Sequence, residues 1–203
     1  WRSAESGARV GGPNMVERRK AVRFVDGGGP VRVETSGSRP AMPALAWHPA
    51  DPDGALFTLD SPCAKAIVGF AGGRKLDLGG FVVEMEPTDR GFASLILTSM
   101  DGKPVATSAS LVLTALDKVE NTGLQWNEDR TFAANSWSQG PTMAETVPAS
   151  ISIPTTARTA TVYALDETGA RSKAIPSTLS AGRLTFRIGP QDKAVWYEIS
   201  AGR

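Results

Sequence analysis

The stretch "LTSMDGKPVATSASLVLTAL", residues 97–116, decides the fold, because it reads as two apolar strands around one turn. Asp101-Gly102 after an apolar run predicts a tight hairpin, since such turns need residues that tolerate positive φ. Lys103 and Pro104 equally allow a four-residue connection. A strand over 105–116 is expected to alternate, with one face carrying Val105, Thr107, Ala109, Leu111 and Leu113 and the other carrying Ser108, Ser110 and Thr114. The hairpin is predicted to form the middle of one sheet.

Strand-like segments recur from residue 55 onwards between Gly, Pro, Asp and Asn. Two of them alternate clearly: 81–86, with Phe81, Val83 and Met85 on one face, and 183–188, with Leu184, Phe186 and Ile188 on one face. Alternation with one polar face indicates antiparallel sheets covered on one side. No helix of three turns and no internal repeat is evident. The sequence therefore predicts an all-β protein, an antiparallel two-sheet β-sandwich.

The N-terminal segment differs in composition from the rest of the chain. Residues 1–54 are rich in Gly, Pro, Ser and Arg, with short apolar runs between them. We expect residues 1–43 to be a loop-rich linker or a remnant of a preceding catalytic region, and residues 44–203 to form the β-sandwich domain. The opening "WRSAESGARVGG" carries no signal segment. This start suggests a domain cut from a longer protein.

Composition excludes several classes of function. The chain has 22 Lys and Arg against 21 Asp and Glu, and its densest basic cluster is "ERRK" at 17–20, so no nucleic-acid partner is expected. A single cysteine, Cys63, rules out an intrachain disulfide and a cysteine zinc site, and a single histidine rules out a histidine-rich metal site. No cofactor is predicted. No apolar run approaches the roughly 20 residues that span a bilayer, so no membrane partner is expected.

Five segments together resemble the C-terminal β-sandwich of bacterial glycoside hydrolases with a TIM-barrel catalytic domain. They are "GALFTLDSPCAKAIVGFAGG" (54–73), "LTSMDGKPVATSASLVLTAL" (97–116), "ENTGLQW" (120–126), "VYALDETGAR" (162–171) and "AVWYEIS" (194–200). The first contains a "D-x-P-x-x-x-x-x-x-G" turn and the second a "S-x-D-G-x-P-L-x-x-S" hairpin. Cys63 departs from the basic residue that commonly follows the Pro, and Val105 departs from the usual Leu.

The resemblance implies a polysaccharide-processing parent whose catalytic carboxylates lie on a barrel outside this chain. It implies a non-catalytic accessory domain that packs against that barrel of the same parent chain, and a parent that is secreted or periplasmic. No catalytic residue is therefore assigned here.

The sequence also suggests sugar contacts in its longest stretch without strand pattern, residues 120–142. Trp126 and Trp137 offer flat faces for stacking on sugar rings, while Asn127, Asn135 and Gln139 offer amides for hydroxyl groups. The alternative is that one or both indoles cap the end of the core. Trp196 and Tyr197 are neighbours on the last strand, so one of them is expected to face the core.

Candidates for catalysis and metal binding are weaker. Glu84 and Glu86 share a strand face, but their pattern is typical of solvated strand residues and nothing in the local sequence builds a cleft around them. His48 has no "GxSxG" serine to serve. Asp51 and Asp53 have the spacing of a calcium loop, or of a plain polar turn. Three hypotheses stay open: an accessory sandwich, a carbohydrate-binding module using the two indoles, and a free-standing hydrolase.

Overall fold

The computed structural model describes residues 44–48, 54–128, 131–133 and 137–202. Within these residues the chain forms fifteen strands: β1 (Ala44–His48), β2 (Leu56–Asp60), β3 (Ala64–Phe70), β4 (Lys75–Leu78), β5 (Phe81–Met85), β6 (Phe92–Ser99), β7 (Ser110–Leu116), β8 (Val119–Asn121), β9 (Thr142–Ala144), β10 (Ala149–Pro154), β11 (Thr159–Leu165), β12 (Arg171–Ile175), β13 (Ser177–Ser180), β14 (Arg183–Ile188) and β15 (Trp196–Gly202). The only helical segments among the described residues are two short 3-10 turns, Val105–Thr107 and Pro190–Asp192.

Two antiparallel sheets form the sandwich. The larger sheet has eight strands in the order β1-β2-β3-β6-β7-β15-β11-β12, and the smaller has five in the order β13-β14-β10-β5-β4. β8 and β9 pair separately as a small ribbon. The predicted all-β sandwich is confirmed.

The core lies between the two sheets and follows the predicted alternation. Phe81 and Val83 are fully buried and Met85 nearly so, and Leu184, Phe186 and Ile188 are buried from the neighbouring part of the smaller sheet. The larger sheet contributes a matching set of inward side chains: Leu56, Ile67, Leu95, Leu97, Leu111, Leu113, Val162, Tyr197 and Ile199. Burial of these apolar surfaces is what holds the two sheets together.

The predicted pairing of the two strands in 97–116 is confirmed, but the prediction of a short turn between them is wrong. β6 and β7 pair antiparallel, with Ser99 opposite Leu111, and they are the fourth and fifth strands of the larger sheet. The connection, however, runs from residue 100 to residue 109, because the Asp101 carboxylate accepts hydrogen bonds from the Ser108 hydroxyl (2.7 Å) and the Ala109 amide (3.0 Å). These bonds close a long loop, so the second strand begins at 110 and not at 105.

The two quoted turn patterns have structural reasons. In the first, Asp60 forms an ion pair with the buried Lys65. Gly69 of the same pattern has φ +138°, and a Cβ there would lie 2.2 Å from the Ala55 carbonyl oxygen. In the second, the 3-10 turn buries Val105, whose amide donates to the Pro62 carbonyl (2.7 Å). The contacts made by the two patterns therefore stabilise one end of the sandwich.

Candidate functional site

The predicted sugar contacts lie in the excursion between β8 and β9, and the structure treats the two indoles differently. Trp126 is half-buried, and its Nε1 donates to Glu120 Oε1 at 3.2 Å. Trp137 is 67% exposed and has a left-handed backbone with φ +63°. The Trp126 indole is therefore held by the loop itself, whereas the Trp137 indole faces solvent.

The predicted amides also differ. Asn127 Oδ1 accepts from the Phe132 amide (2.9 Å) and Nδ2 donates to Thr131 Oγ1 (3.1 Å), so this side chain stabilises the loop. Gln139 is exposed. Asn135 lies outside the described residues. As sugar contacts, all five residues stay predictions.

Asn121, which the sequence analysis did not single out, stabilises the segment between β8 and β9 through its side chain. Its Nδ2 donates to the Trp137 carbonyl (3.1 Å), and its Oδ1 accepts from Thr142 Oγ1 (2.7 Å). The neighbouring Glu120 binds the Arg90 guanidinium at 3.0 Å. Burial opposes ionisation of Glu120, but Arg90, Lys118 and the Trp126 indole outweigh it and lower the pKa of this carboxyl.

The candidate catalytic carboxylates are ion-paired, Glu84 on β5 and Glu86 directly after it. Glu84 lies 3.4 Å from Lys75 Nζ, and Glu86 pairs with Arg187, all on the exposed face of the smaller sheet. Asp51 and Asp53 lie outside the described residues. Among the residues that are described, no group of three or more His, Cys, Asp or Glu side chains is arranged to hold a metal ion. No helix within the described ranges is long and apolar enough to cross a membrane.

The outer face of the larger sheet carries apolar side chains at positions where a solvent-exposed sheet face usually carries polar ones. One cross-strand row runs through Leu59, Ala66 and Ile96. A second runs through Phe57, Val68, Ser94 and Leu116, with Ser94 as its polar member. Residues in register on antiparallel strands share a face. Apart from the buried Ala66, the members of these rows are half-buried or exposed and alternate with buried neighbours, so they point away from the core. We call the set Phe57, Leu59, Val68, Ile96 and Leu116 the outer apolar face.

The other half of the same sheet surface is polar and internally paired. Arg171 binds Glu198 through both carboxylate oxygens at 2.7 Å, and its guanidinium carbon lies 4.2 Å from the centre of the Tyr163 ring. The Arg171 hydrogen bonds lower the pKa of the Glu198 carboxyl. The outer surface beyond β7 therefore carries this polar cluster, together with the exposed Trp196 indole of β15.

A groove of about 770 Å³ opens at one end of the sandwich, beside the outer apolar face. Three separate chain segments build it: β9 with the residues after it, the β11–β12 turn, and residues 190–196. Its walls include Met143, Glu145, Leu165, Asp166, Lys193 and Trp196. Trp196 is 40% exposed, whereas its neighbour Tyr197 is fully buried, so the expectation that one of the two faces the core is confirmed.

A buried hydrogen-bond cluster supports the groove wall at residues 190–195. The Tyr197 hydroxyl lies 3.2 Å from Asp192 Oδ2 and 3.2 Å from the Ala194 carbonyl oxygen. Asp192 also accepts from the Gly189 amide (3.0 Å) and pairs with Lys173 (3.0 Å). Burial, together with the Asp192 charge, raises the pKa of Tyr197, so its hydroxyl stays a proton donor.

Two buried oxygens near the groove have no hydrogen-bond partner in the described part of the chain, Asp117 Oδ1 and Thr146 Oγ1. The Asp117 amide donates to the carbonyl oxygen of Glu145, the residue before Thr146, at 2.9 Å. Burial, followed by the nearby Glu145 charge, raises the pKa of the Asp117 carboxyl.

Comparison of the chain with protein-family models, with curated proteins and with solved structures found no match in any of the three.

Proposed function

We propose that this chain is the non-catalytic accessory β-sandwich of a polysaccharide-processing glycoside hydrolase, and that it packs through its outer apolar face against the catalytic barrel of the same parent chain. The observation that carries the proposal is that face. A sheet surface meant for water alternates apolar and polar residues, and contiguous apolar surface on a folded domain marks an interaction site.

The position of the face favours a partner that precedes it in the chain. β1 is the edge strand of the larger sheet, and its Leu45 is in register with Leu59 of the outer apolar face. The first strand of the described residues therefore lies beside this face. The sequence resemblance supplies the kind of partner, a catalytic barrel.

The experiment is association in trans, with the catalytic barrel of the parent and this 203-residue chain produced separately and titrated by calorimetry. We expect a measurable complex, and Ile96→Lys is expected to weaken it about tenfold or more, because a charge replaces an apolar side chain at the interface. Thr178→Lys is the matched control, since Thr178 is exposed on the edge strand of the smaller sheet.

Equal effects of Ile96→Lys and Thr178→Lys would count against the outer apolar face. No association at all between the two parts, with both folded by circular dichroism, would reject the docking role.

A second candidate, a carbohydrate-binding module that stacks sugars on Trp126 and Trp137, is favoured by the exposure of the Trp137 indole. Trp137→Ala is expected to weaken polysaccharide binding in that case. Unchanged affinity in both Trp137→Ala and Trp126→Ala would exclude these residues.

A further inference from the structure

We infer that the groove between β9, the β11–β12 turn and residues 190–196 is a binding site for a neutral saccharide, with Trp196 as its stacking platform. This goes beyond docking on a catalytic domain. It rests on the proposed function for the nearness of a polysaccharide, and on the groove for the rest of the argument.

The size and make-up of the groove suit a few sugar rings. Its volume of about 770 Å³ lies within the range of about 300–1,000 Å³ that is usual for ligand sites. Apolar side chains from Met143, Leu165 and Trp196 form much of the lining. A sugar presents both apolar C–H faces and hydroxyl groups, so it needs this mixture of surfaces.

Trp196 has the exposure that a stacking platform requires. It is 40% exposed although it is the first residue of a central strand, and the next residue, Tyr197, anchors that strand in the core. The indole is thus mounted on a rigid element instead of a loop. Met143, 59% exposed on β9, lines the same groove and offers a second apolar contact.

The charged groups of the groove select a neutral ligand. Glu145, Asp166 and Glu167 contribute three carboxylates to the lining, against the ammonium group of Lys193 in the lining and that of Lys118, which pairs with Glu145 from outside it. Carboxylates accept hydrogen bonds from sugar hydroxyls, but they repel a polyuronate. The Asp166 carboxylate already accepts from Thr168, which lowers its pKa and keeps it ionised. The Glu145 carboxylate is paired with Lys118 Nζ at 3.2 Å. Glu167 is therefore the acceptor best suited to hydroxyl groups.

The groove also adjoins the outer apolar face. Trp196 is in register with Thr114, and Thr114 is in register with Ile96 of that face. A saccharide in the groove would therefore lie at the margin of the proposed interface, where an extended substrate chain can reach both domains.

The test is affinity electrophoresis of the 203-residue chain through gels that contain hydroxyethylcellulose, arabinoxylan or galactomannan, with polygalacturonate as the anionic comparison. We expect retardation by at least one neutral polysaccharide and none by polygalacturonate. Trp196→Ala is expected to weaken retardation about tenfold, whereas Trp196→Phe, which keeps an aromatic face, is expected to retain part of it. Phe70→Ala is the matched control, since Phe70 is 43% exposed, close to the exposure of Trp196, and lies outside the groove lining.

Each other result overturns the inference. No retardation by any of the neutral polysaccharides, full retardation after Trp196→Ala, or stronger retardation by polygalacturonate would each do so. Circular dichroism of both Trp196 variants separates loss of binding from loss of fold. Because these gels contain no catalytic domain, the docking role can survive a negative outcome, and a failed docking experiment leaves this result standing.

Discussion

Replacing Tyr197 with Phe is expected to destabilise the protein by about 1.5–3 kcal/mol, the usual worth of a hydrogen bond to a charged group. The hydroxyl is fully buried and lies 3.2 Å from Asp192 Oδ2. Its removal leaves the ring in place, so little packing is lost. The buried Asp192 carboxylate keeps the Gly189 amide, Lys173 and a long contact to Gln191 Nε2 (3.5 Å), but it loses the Tyr197 hydroxyl.

The assay is urea unfolding followed by circular dichroism, with the melting temperature measured in parallel. For a chain of this size, the loss corresponds to a melting temperature lower by about 3–12 °C. Tyr163→Phe is the matched control, because the Tyr163 side chain is only half-buried and stacks against Arg171 through its ring. This control is expected to change stability by less than about 0.5 kcal/mol. If Tyr197→Phe costs no more than Tyr163→Phe, the reasoning about the groove wall is wrong.

Three further predictions concern stability. Burial raises the pKa of Asp117 in the folded state above its unfolded value. The wild-type protein therefore loses stability as pH rises above about 4, whereas Asp117→Asn does not. In urea unfolding, the stability of Asp117→Asn relative to the wild type should increase with pH, and a pH-independent difference would contradict this. Asp101 has the opposite sign, since its loop hydrogen bonds hold the pKa below the unfolded value. Asp101→Ala should thus lower the melting temperature at neutral pH, with a gap that narrows below about pH 4. Gly69→Ala should cost well over about 1 kcal/mol, because its Cβ would strike the Ala55 carbonyl, whereas Gly169→Ala, with positive φ but open space, should cost less.

The sequence was sufficient to predict those strands that have one solvent-exposed face and one buried face. Phe81, Val83 and Met85 alternate with exposed residues, so period two identified both the strand and its buried side. The loop from 100 to 109 was not predictable in the same way. A local Asp-Gly signal indicates a tight turn, whereas the outcome depends on Ser108 and Ala109 reaching back to Asp101.

The outer apolar face did leave a signal in the sequence. "AKAIVGF" (64–70) and "SLVLTAL" (110–116) are apolar at nearly every position, and strands of this kind are covered on both faces. The groove left no signal in the sequence, because the three segments that form it are distant from one another along the chain. Alternation showed that Trp196 or Tyr197 faces inward, but only the register of Tyr197 with the buried Leu113 determines which.

Thiol labelling of Ile96→Cys in a Cys63→Ser background tests the docking role most directly. Thr178→Cys in the same background serves as the reference position. The rate of reaction with a maleimide is measured in the 203-residue chain and in the full-length parent protein. The account predicts that the thiol at position 96 reacts readily in the 203-residue chain and slowly in the parent, while the reference thiol reacts equally in both. Equal rates at position 96 in both proteins, or protection already complete in the 203-residue chain, would contradict it.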